Sequence, residues 1–277
     1  IPMNFSEDVL PRVYRSLLKL TRMRGAFTLG RFNHRLFPNG QYFHMASGNR
    51  FFVPGDPHFF GYLTGHELHI AQLIDELVRP GVVCFDVGAN IGYFTSQMAA
   101  RCGSGGLVVA FEPDNKNFEW LEKNSSLARE SGCDIELVQA AVSDQPGKRR
   151  LIPGAHSTLH KTEVADEDAM NEEVIAAVTL VGEYKRLNLT KPIRLVKIDV
   201  EGHEAAVLQG MDHLVHDGQV QYAIVEIHPG ASAVAVEDIL SSWGKRVSSV
   251  HCWTGEAWQP MAPSNLSWRS DALVTFK

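Results

Sequence analysis

The sequence predicts an α/β fold: a seven-stranded, mostly parallel sheet with an antiparallel closing hairpin, preceded by a helical and hairpin extension. Two observations carry this. From Val82 onward, short apolar runs of strand length alternate with stretches of helical periodicity, the pattern of a doubly wound sheet. The last two apolar runs, 246–252 and 272–276, are joined by a turn-rich link and not by a helix. Parallel neighbours need a long crossover, so these two must be antiparallel.

The elements come in order. Residues 1–60 form the extension and 61–277 the main domain. In Leu10–Met23, the apolar Leu10, Val13, Tyr14, Leu17 and Leu18 recur at helical spacing, and Arg12, Arg15, Lys19 and Arg22 make a basic stripe. From Val9 to Gly55 there are eight Lys or Arg and no acid, although the 277-residue chain carries a net charge of −6. Such a helix meets an acidic carrier protein or an anionic surface, or docks by its apolar face on the acidic main domain. Residues 40–54 read as a short hairpin. Thr64-Gly65-His66-Glu67 reads as a capping box opening a helix that Pro80-Gly81 ends. Then come strand 82–87, helix 92–102, strand 107–112, helix 114–131 and strand 134–139. The acidic stretch 161–174 lacks apolar periodicity and reads as a mobile insertion or lid. Strand 193–198, a helix to about Val215, strand 222–227 and a helix over 234–243 lead to the closing pair.

Bulk properties exclude several classes. No apolar run reaches the ~18 residues that span a bilayer, and the N-terminus lacks the apolar core of a signal peptide. Cys84, Cys102, Cys133 and Cys252 are scattered without metal-ligand spacing, as expected in a reducing cytoplasm. A sequence pI near 6.1 and the lack of a stacking motif argue against nucleic acid.

The chemistry concentrates in one segment. Val82 to Thr95 reads as a buried strand, an acid at Asp86, a Gly88-Ala89-Asn90-Ile91-Gly92 turn and a helix start. This order lets a ligand approach bare backbone at a helix N-terminus. A carboxylate ahead of the glycines repels a pyrophosphate but attracts an ammonium, which S-adenosylmethionine (SAM) carries. Glu112, 24 residues after Gly88 at the tip of the next strand, stands where a carboxylate binds a ribose diol.

Asp86-Val87-Gly88-Ala89-Asn90-Ile91-Gly92, Ala110-Phe111-Glu112-Pro113 and Lys197-Ile198-Asp199-Val200-Glu201-Gly202-His203-Glu204 together resemble the FkbM-type methyltransferase family. The resemblance covers roughly residues 60–230, and the third motif is its most specific part. It implies the Rossmann-like class I SAM-methyltransferase fold and O-methylation of natural products or sugars. One departure is Leu180-Val181-Gly182-Glu183, where the family often shows Leu-Asp. Residues 1–55 find no match and are the expected seat of substrate choice.

Strand tips assign the cofactor roles. Asp86 receives the ammonium, Gly88 and Gly92 make room for the methionine portion, and Asn90 bonds its carboxylate. Glu112 binds ribose. Ala141 and Val142 border the adenine, with Asp144 near its amino group. Methyl transfer is an in-line displacement that needs a positioned alcohol and a base. Candidate catalytic groups are Asp199, which also lies near the sulfonium, Glu201 and His228, with Glu226 beside them. Asp199, Glu226 and His228 also make a conceivable magnesium set. Three other readings stay open: a metal-assisted enzyme, a silent SAM-binding or carrier-docking module, and an NAD-dependent dehydrogenase, which the Gly-x-Asn-x-Gly turn and closing hairpin disfavour.

Overall fold

The structure is a computed structural model that describes residues 9–20, 26–65, 67–153, 160–164, 174–228, 231–266 and 271–277. Helix α1 (Leu10–Leu20) and helix α2 (Ala26–Leu36) open the chain. Tyr14 fastens α1 to its neighbours. Its ring packs edge-on against Phe60 at 5.1 Å, and its hydroxyl donates to Asn33 Oδ1 at 3.0 Å. Tyr14 therefore anchors the helix, while Val13 and Leu17 of the expected apolar face stay exposed. Arg22 of the expected basic stripe lies outside the described residues.

Strands β1 (Gln41–His44) and β2 (Arg50–Val53) form the anticipated hairpin. Asn124 clamps it to the glycine turn: its Oδ1 accepts from Phe52 N at 2.8 Å, and its Nδ2 donates to Phe52 O at 3.0 Å and Ile91 O at 2.7 Å. Helix α3 (Phe60–Thr64) and helix α4 (Leu68–Leu77) come next. The capping box between them does not form. Thr64 Oγ1 donates to Gly61 O at 3.0 Å, and Glu67, in left-handed backbone at φ 42°, makes no side-chain cap. The reason is that Gly65 ends α3 in a left-handed turn, which carries the Thr64 hydroxyl away from the start of α4.

The main sheet is assembled from β3 (Val83–Val87), β4 (Leu107–Phe111), β5 (Asp134–Val138), β10 (Ile193–Ile198), β11 (Val220–Glu226), β12 (Val247–Trp253), β13 (Trp258–Pro260) and β14 (Asp271–Phe276). Their order is β13-β12-β14-β11-β10-β3-β4-β5. It has eight strands against the seven expected, because the turn-rich link contributes β13. The five from β11 to β5 are parallel. Strand β14 inserts antiparallel between β11 and β12, so the closing pair is antiparallel as its missing crossover requires.

Helices α5 (Tyr93–Cys102), α6 (Asn115–Ala128), α7 (Leu180–Arg186), α8 (Glu204–Gly210), α9 (Asp212–His216) and α10 (Ala231–Ser242) connect the strands. Two cores result. One holds Phe85, Phe111 and the residues of β10, β11 and α8; the other holds Phe51, Phe59, Ile70, Met98 and the hairpin. Burying each large apolar side chain contributes about 1.5–3 kcal/mol. The second core makes the N-terminal segment part of the main body.

A second, small sheet lies beside the first, in the order β6-β9-β7-β8. Its members are β6 (Ala141–Val142), β7 (Gly147–Pro153), β8 (His160–Val164) and β9 (Val174–Val178). Strand β8 takes up the start of the stretch expected to be an irregular insertion, pairing with β7. The remainder of that stretch up to Val174, 165–173, lies outside the described residues.

Candidate active site

The parallel strands β3, β4, β10 and β11 end at one edge, where the order reverses between β4 and β10 on either side of β3. Such a switch point opens a crevice. A cavity of about 300 Å³ occupies it, lined from these strands by Gly88, Asn90, Glu112, Asp199, Glu201 and Glu226.

The side expected to hold the cofactor is built locally. Gly88 has φ +79°, and a Cβ there would clash with the Asp199 carbonyl oxygen. No side chain fits, and the β3 turn lies directly against the backbone after β10. Asn90 is left-handed at φ 50° and lines the cavity, with its Oδ1 buried and unpartnered. Glu112 accepts from Asn90 N at 2.8 Å through Oε2 and from Asp114 N at 3.0 Å through Oε1. Burial pushes its pKa up to about 7 despite these bonds. Ala140, Ala141 and Val142 complete an apolar wall.

Three expected cofactor residues sit elsewhere. Asp86 is fully buried behind the turn, with Oδ2 accepting from Thr95 Oγ1 at 2.6 Å and Oδ1 unpartnered. Burial raises its pKa, and the Coulomb effect of Lys197 opposes that rise. It is not among the lining residues. Gly92 is also outside the lining; at φ +87°, a Cβ there would meet Leu121 Cδ1 at 2.8 Å, so it serves the packing of α5 on α6. Asp144 accepts from Ser143 Oγ at 2.7 Å and from Arg149 Nη2 at 2.8 Å, and its carboxylate is therefore already engaged.

The opposite wall is a carboxyl cluster around one buried cation. Lys197 Nζ lies 2.9 Å from Asp199 Oδ2, with only 4% of the lysine side chain exposed. Burial works against its charge, yet Asp199, Asp86, Glu67 and Glu226 together hold its pKa above the ordinary value. Burial likewise opposes ionisation of Asp199, but Lys197 and a hydrogen bond from Glu226 outweigh it and keep Asp199 below its usual range. Glu226 goes the other way. Burial, then the neighbouring Asp199 and Glu67, push it up to about 9. The two carboxyls are thus pushed apart, Asp199 toward its ionised form and Glu226 toward its protonated one.

His228 is clamped. Its Nε2 meets Glu201 Oε2 at 2.9 Å and its Nδ1 meets Glu204 Oε1 at 2.6 Å. These two hydrogen bonds raise its pKa to about 10. An imidazolium held at both nitrogens has no lone pair with which to take a proton from an alcohol. It is not among the lining residues either. Glu204 also accepts from Ser232 Oγ at 2.5 Å and Gly202 N at 2.8 Å. This network fixes the 199–203 loop, in which Glu201 is left-handed at φ 50°. The magnesium set does not converge: both ring nitrogens of His228 are held, by Glu201 and Glu204. Among the described residues, no group of three His, Cys, Asp or Glu is placed to hold a metal.

Sequence reasoning missed the roof. His58, Gly61, Tyr62 and Glu67 line the cavity from the N-terminal side, whereas no described residue of 1–55 does. Tyr62 is fixed by Phe59, at 6.2 Å and stacked, and by Tyr93 at 5.1 Å. Burial raises its phenol pKa. The available signal is Gly65 ahead of a helix, which passes in the sequence for part of a cap.

Known proteins identify the family. The family model for the methyltransferase FkbM domain matches residues 86–247. Hexuronic acid methyltransferase AglP of Haloferax volcanii is 34% identical over 181 residues, covering 65% of this chain and 69% of that protein. The 31-O-demethyl-FK506 methyltransferase FkbM of Streptomyces tacrolimicus is 31% identical over 180 residues, 54% of this chain and 67% of its own. A crystal structure of methyltransferase FkbM from Methylobacillus flagellatus matches at TM-score 0.45 and 14% identity, over 79% of this chain and 54% of that one. The match over residues 86–247 spans the glycine turn, Glu112, Asp199 and Glu226, and the chain is a SAM-dependent methyltransferase of the FkbM family.

Proposed function

We propose that the methyl acceptor is a hydroxyl of a small natural product or a glycan sugar, and that Asp199 receives its proton. The observation that carries this reading is the pair of carboxyls, Asp199 and Glu226, side by side in the cavity lining with Lys197 Nζ 2.9 Å from Asp199 Oδ2; their surroundings favour the ionised form of Asp199 and the protonated form of Glu226. The residues opposite suit SAM. Gly88 lets backbone approach it, the unpartnered Asn90 Oδ1 offers an acceptor, and Glu112 presents a fixed carboxylate edge.

Bound SAM supplies an electrophilic methyl group; the protein must align and deprotonate the acceptor. An alcohol attacks well only as its proton leaves, and a carboxylate within hydrogen-bond reach takes that proton in the transition state. Asp199 is in the position to do this, with Lys197 holding its orientation. Glu226 then serves as a neutral donor that keeps Asp199 aimed into the cavity. Glu201 borders the same space and is fixed by His228. In this reading His228 is a positioning residue and not the base. Tyr62 and Glu67 close the roof and exclude water.

The test uses isotopically labelled SAM with a panel of sugars, glycans and polyketide alcohols. The expected product is an alkali-stable methyl ether on a hydroxyl. A methyl group released by mild alkali marks an ester and overturns the hydroxyl reading, as does transfer to none of the panel's hydroxyls.

A further inference from the structure

A second cluster occupies the same edge of the sheet. Trp253, which ends β12, faces Trp258 of β13 across their hairpin, with ring centroids 5.6 Å apart. His69, in the first turn of α4, stacks on Trp253 at 4.7 Å and 13°, and lies 5.9 Å from Trp258. Its Nε2 meets Asp271 Oδ2 at 3.0 Å. All three rings are half-buried.

This cluster neighbours the cavity wall, although none of its four residues lines the cavity itself. Asp271 is the register partner of Glu226, and Glu67 precedes His69 by two residues. Both glutamates line the cavity. Strands β11, β14 and β12 are successive neighbours. At roughly 4.8 Å per strand, Trp253 lies about 10 Å to the side of Glu226.

Trp258 packs in part against the second core, yet polar groups stand beside the rings as well. Here two indole rings adjoin an imidazole and a carboxylate. That combination suits a pyranose, whose C–H faces pack on aromatic rings while its hydroxyls bond to polar groups at the ring edge. We infer that Trp253, Trp258 and His69, the last oriented by the buried Asp271, form a second sugar-ring subsite. It holds the ring next to the one whose hydroxyl meets Asp199. The inference rests on the sugar branch of the hydroxyl reading above and narrows it to acceptors of at least two rings. Contacts to the non-reacting ring orient the reacting one, so they act on turnover as well as on affinity.

The experiment uses the full chain preloaded with S-adenosylhomocysteine and titrated with methyl β-cellobioside and methyl α-maltoside. Saturation-transfer NMR and tryptophan fluorescence report binding. At least one disaccharide is expected to give a saturable response. Trp258→Leu, which keeps bulk but loses the aromatic face, weakens it tenfold or more, and Trp258→Phe retains it, with cofactor affinity and melting temperature unchanged in both. His69→Ala, a half-buried position, is the second variant if the Leu substitution impairs folding, and it too weakens the response. The subsite is overturned if neither disaccharide saturates the signal, or if Trp258→Leu and His69→Ala both bind like wild type. Disaccharide binding without methyl transfer to any hydroxyl would overturn the functional reading and leave the subsite. Transfer to a hydroxyl without disaccharide binding would do the reverse.

Discussion

The two walls of the cavity are built in opposite ways. The wall proposed for the cofactor comes mainly from one stretch, Gly88 to Glu112, in which backbone amides hold the side chains: Glu112 accepts from Asn90 N and Asp114 N. The wall proposed for the acceptor is gathered from the chain at large. Tyr62 and Glu67 come from the N-terminal segment, Asp199 from the tip of β10 and Glu226 from the tip of β11. Charges hold it in place. A wall fixed by backbone amides tolerates the loss of one side chain as a local defect. A wall fixed by mutually dependent charges does not.

Four expected outcomes test that contrast. The largest effect falls on the acceptor wall. Asp199→Asn removes the proposed base and should lower turnover roughly 10²- to 10⁴-fold, with affinity for S-adenosylhomocysteine preserved within a few fold; single-turnover kinetics and calorimetry separate the two. Lys197→Met strands the buried carboxyls around it and should cost about 3–5 kcal/mol of stability in urea unfolding. A cost below about 1 kcal/mol would mean the charges do not hold the wall.

On the cofactor wall, Glu112→Gln should leave the fold intact and weaken SAM binding about tenfold, about 1.4 kcal/mol, as read by calorimetry. The smallest effect belongs to the failed cap. Thr64→Ala should shift stability by less than about 0.5 kcal/mol, well below the ~1 kcal/mol of a capping residue. A full cap-sized loss in thermal unfolding would restore the capping box.

Stability against pH examines the charged wall from another side. Glu226, raised to about 9, and His228, raised to about 10, both bind their protons more tightly in the fold than in the unfolded chain. Their contribution is complete below the ordinary carboxyl and imidazole values and is lost as pH rises through the folded ones. The melting temperature should therefore fall between neutral pH and about pH 10, and Glu226→Gln or His228→Asn should each flatten that fall.

How much was legible in the sequence divides along the same line. The glycine turn, Glu112 and the parallel strands are local patterns; Gly88, Asn90 and Glu112 reach the cavity, while Asp86 and Gly92 of the same pattern do not. Asp199 was legible as a strand-tip acid. Its partnership with Glu226 was not, because no periodicity relates β10 to β11 across the helices between them. His228 reads as a base in isolation, and only the fold brings Glu201 and Glu204 to its two nitrogens. Strand β7 escaped notice because Lys148, Arg149 and Arg150 break the apolar alternation. Strand β13 spans only Trp258–Pro260 and ends on a proline, a residue tolerated at a sheet edge. Glu67 reads as a cap in sequence because the left-handed turn at Gly65 arises from packing that no local motif records.

The charged wall also bears on how a catalytic cycle ends. The donor enters with a positive sulfonium, and the spent cofactor leaves as a neutral thioether. Asp199, kept ionised by Lys197 and Glu226, attracts the first and has little Coulomb attraction for the second. In the reading proposed above, the carboxylate that draws the donor in and takes the acceptor's proton loses its hold on the cofactor once the methyl group has moved, and product release is then coupled to the chemistry.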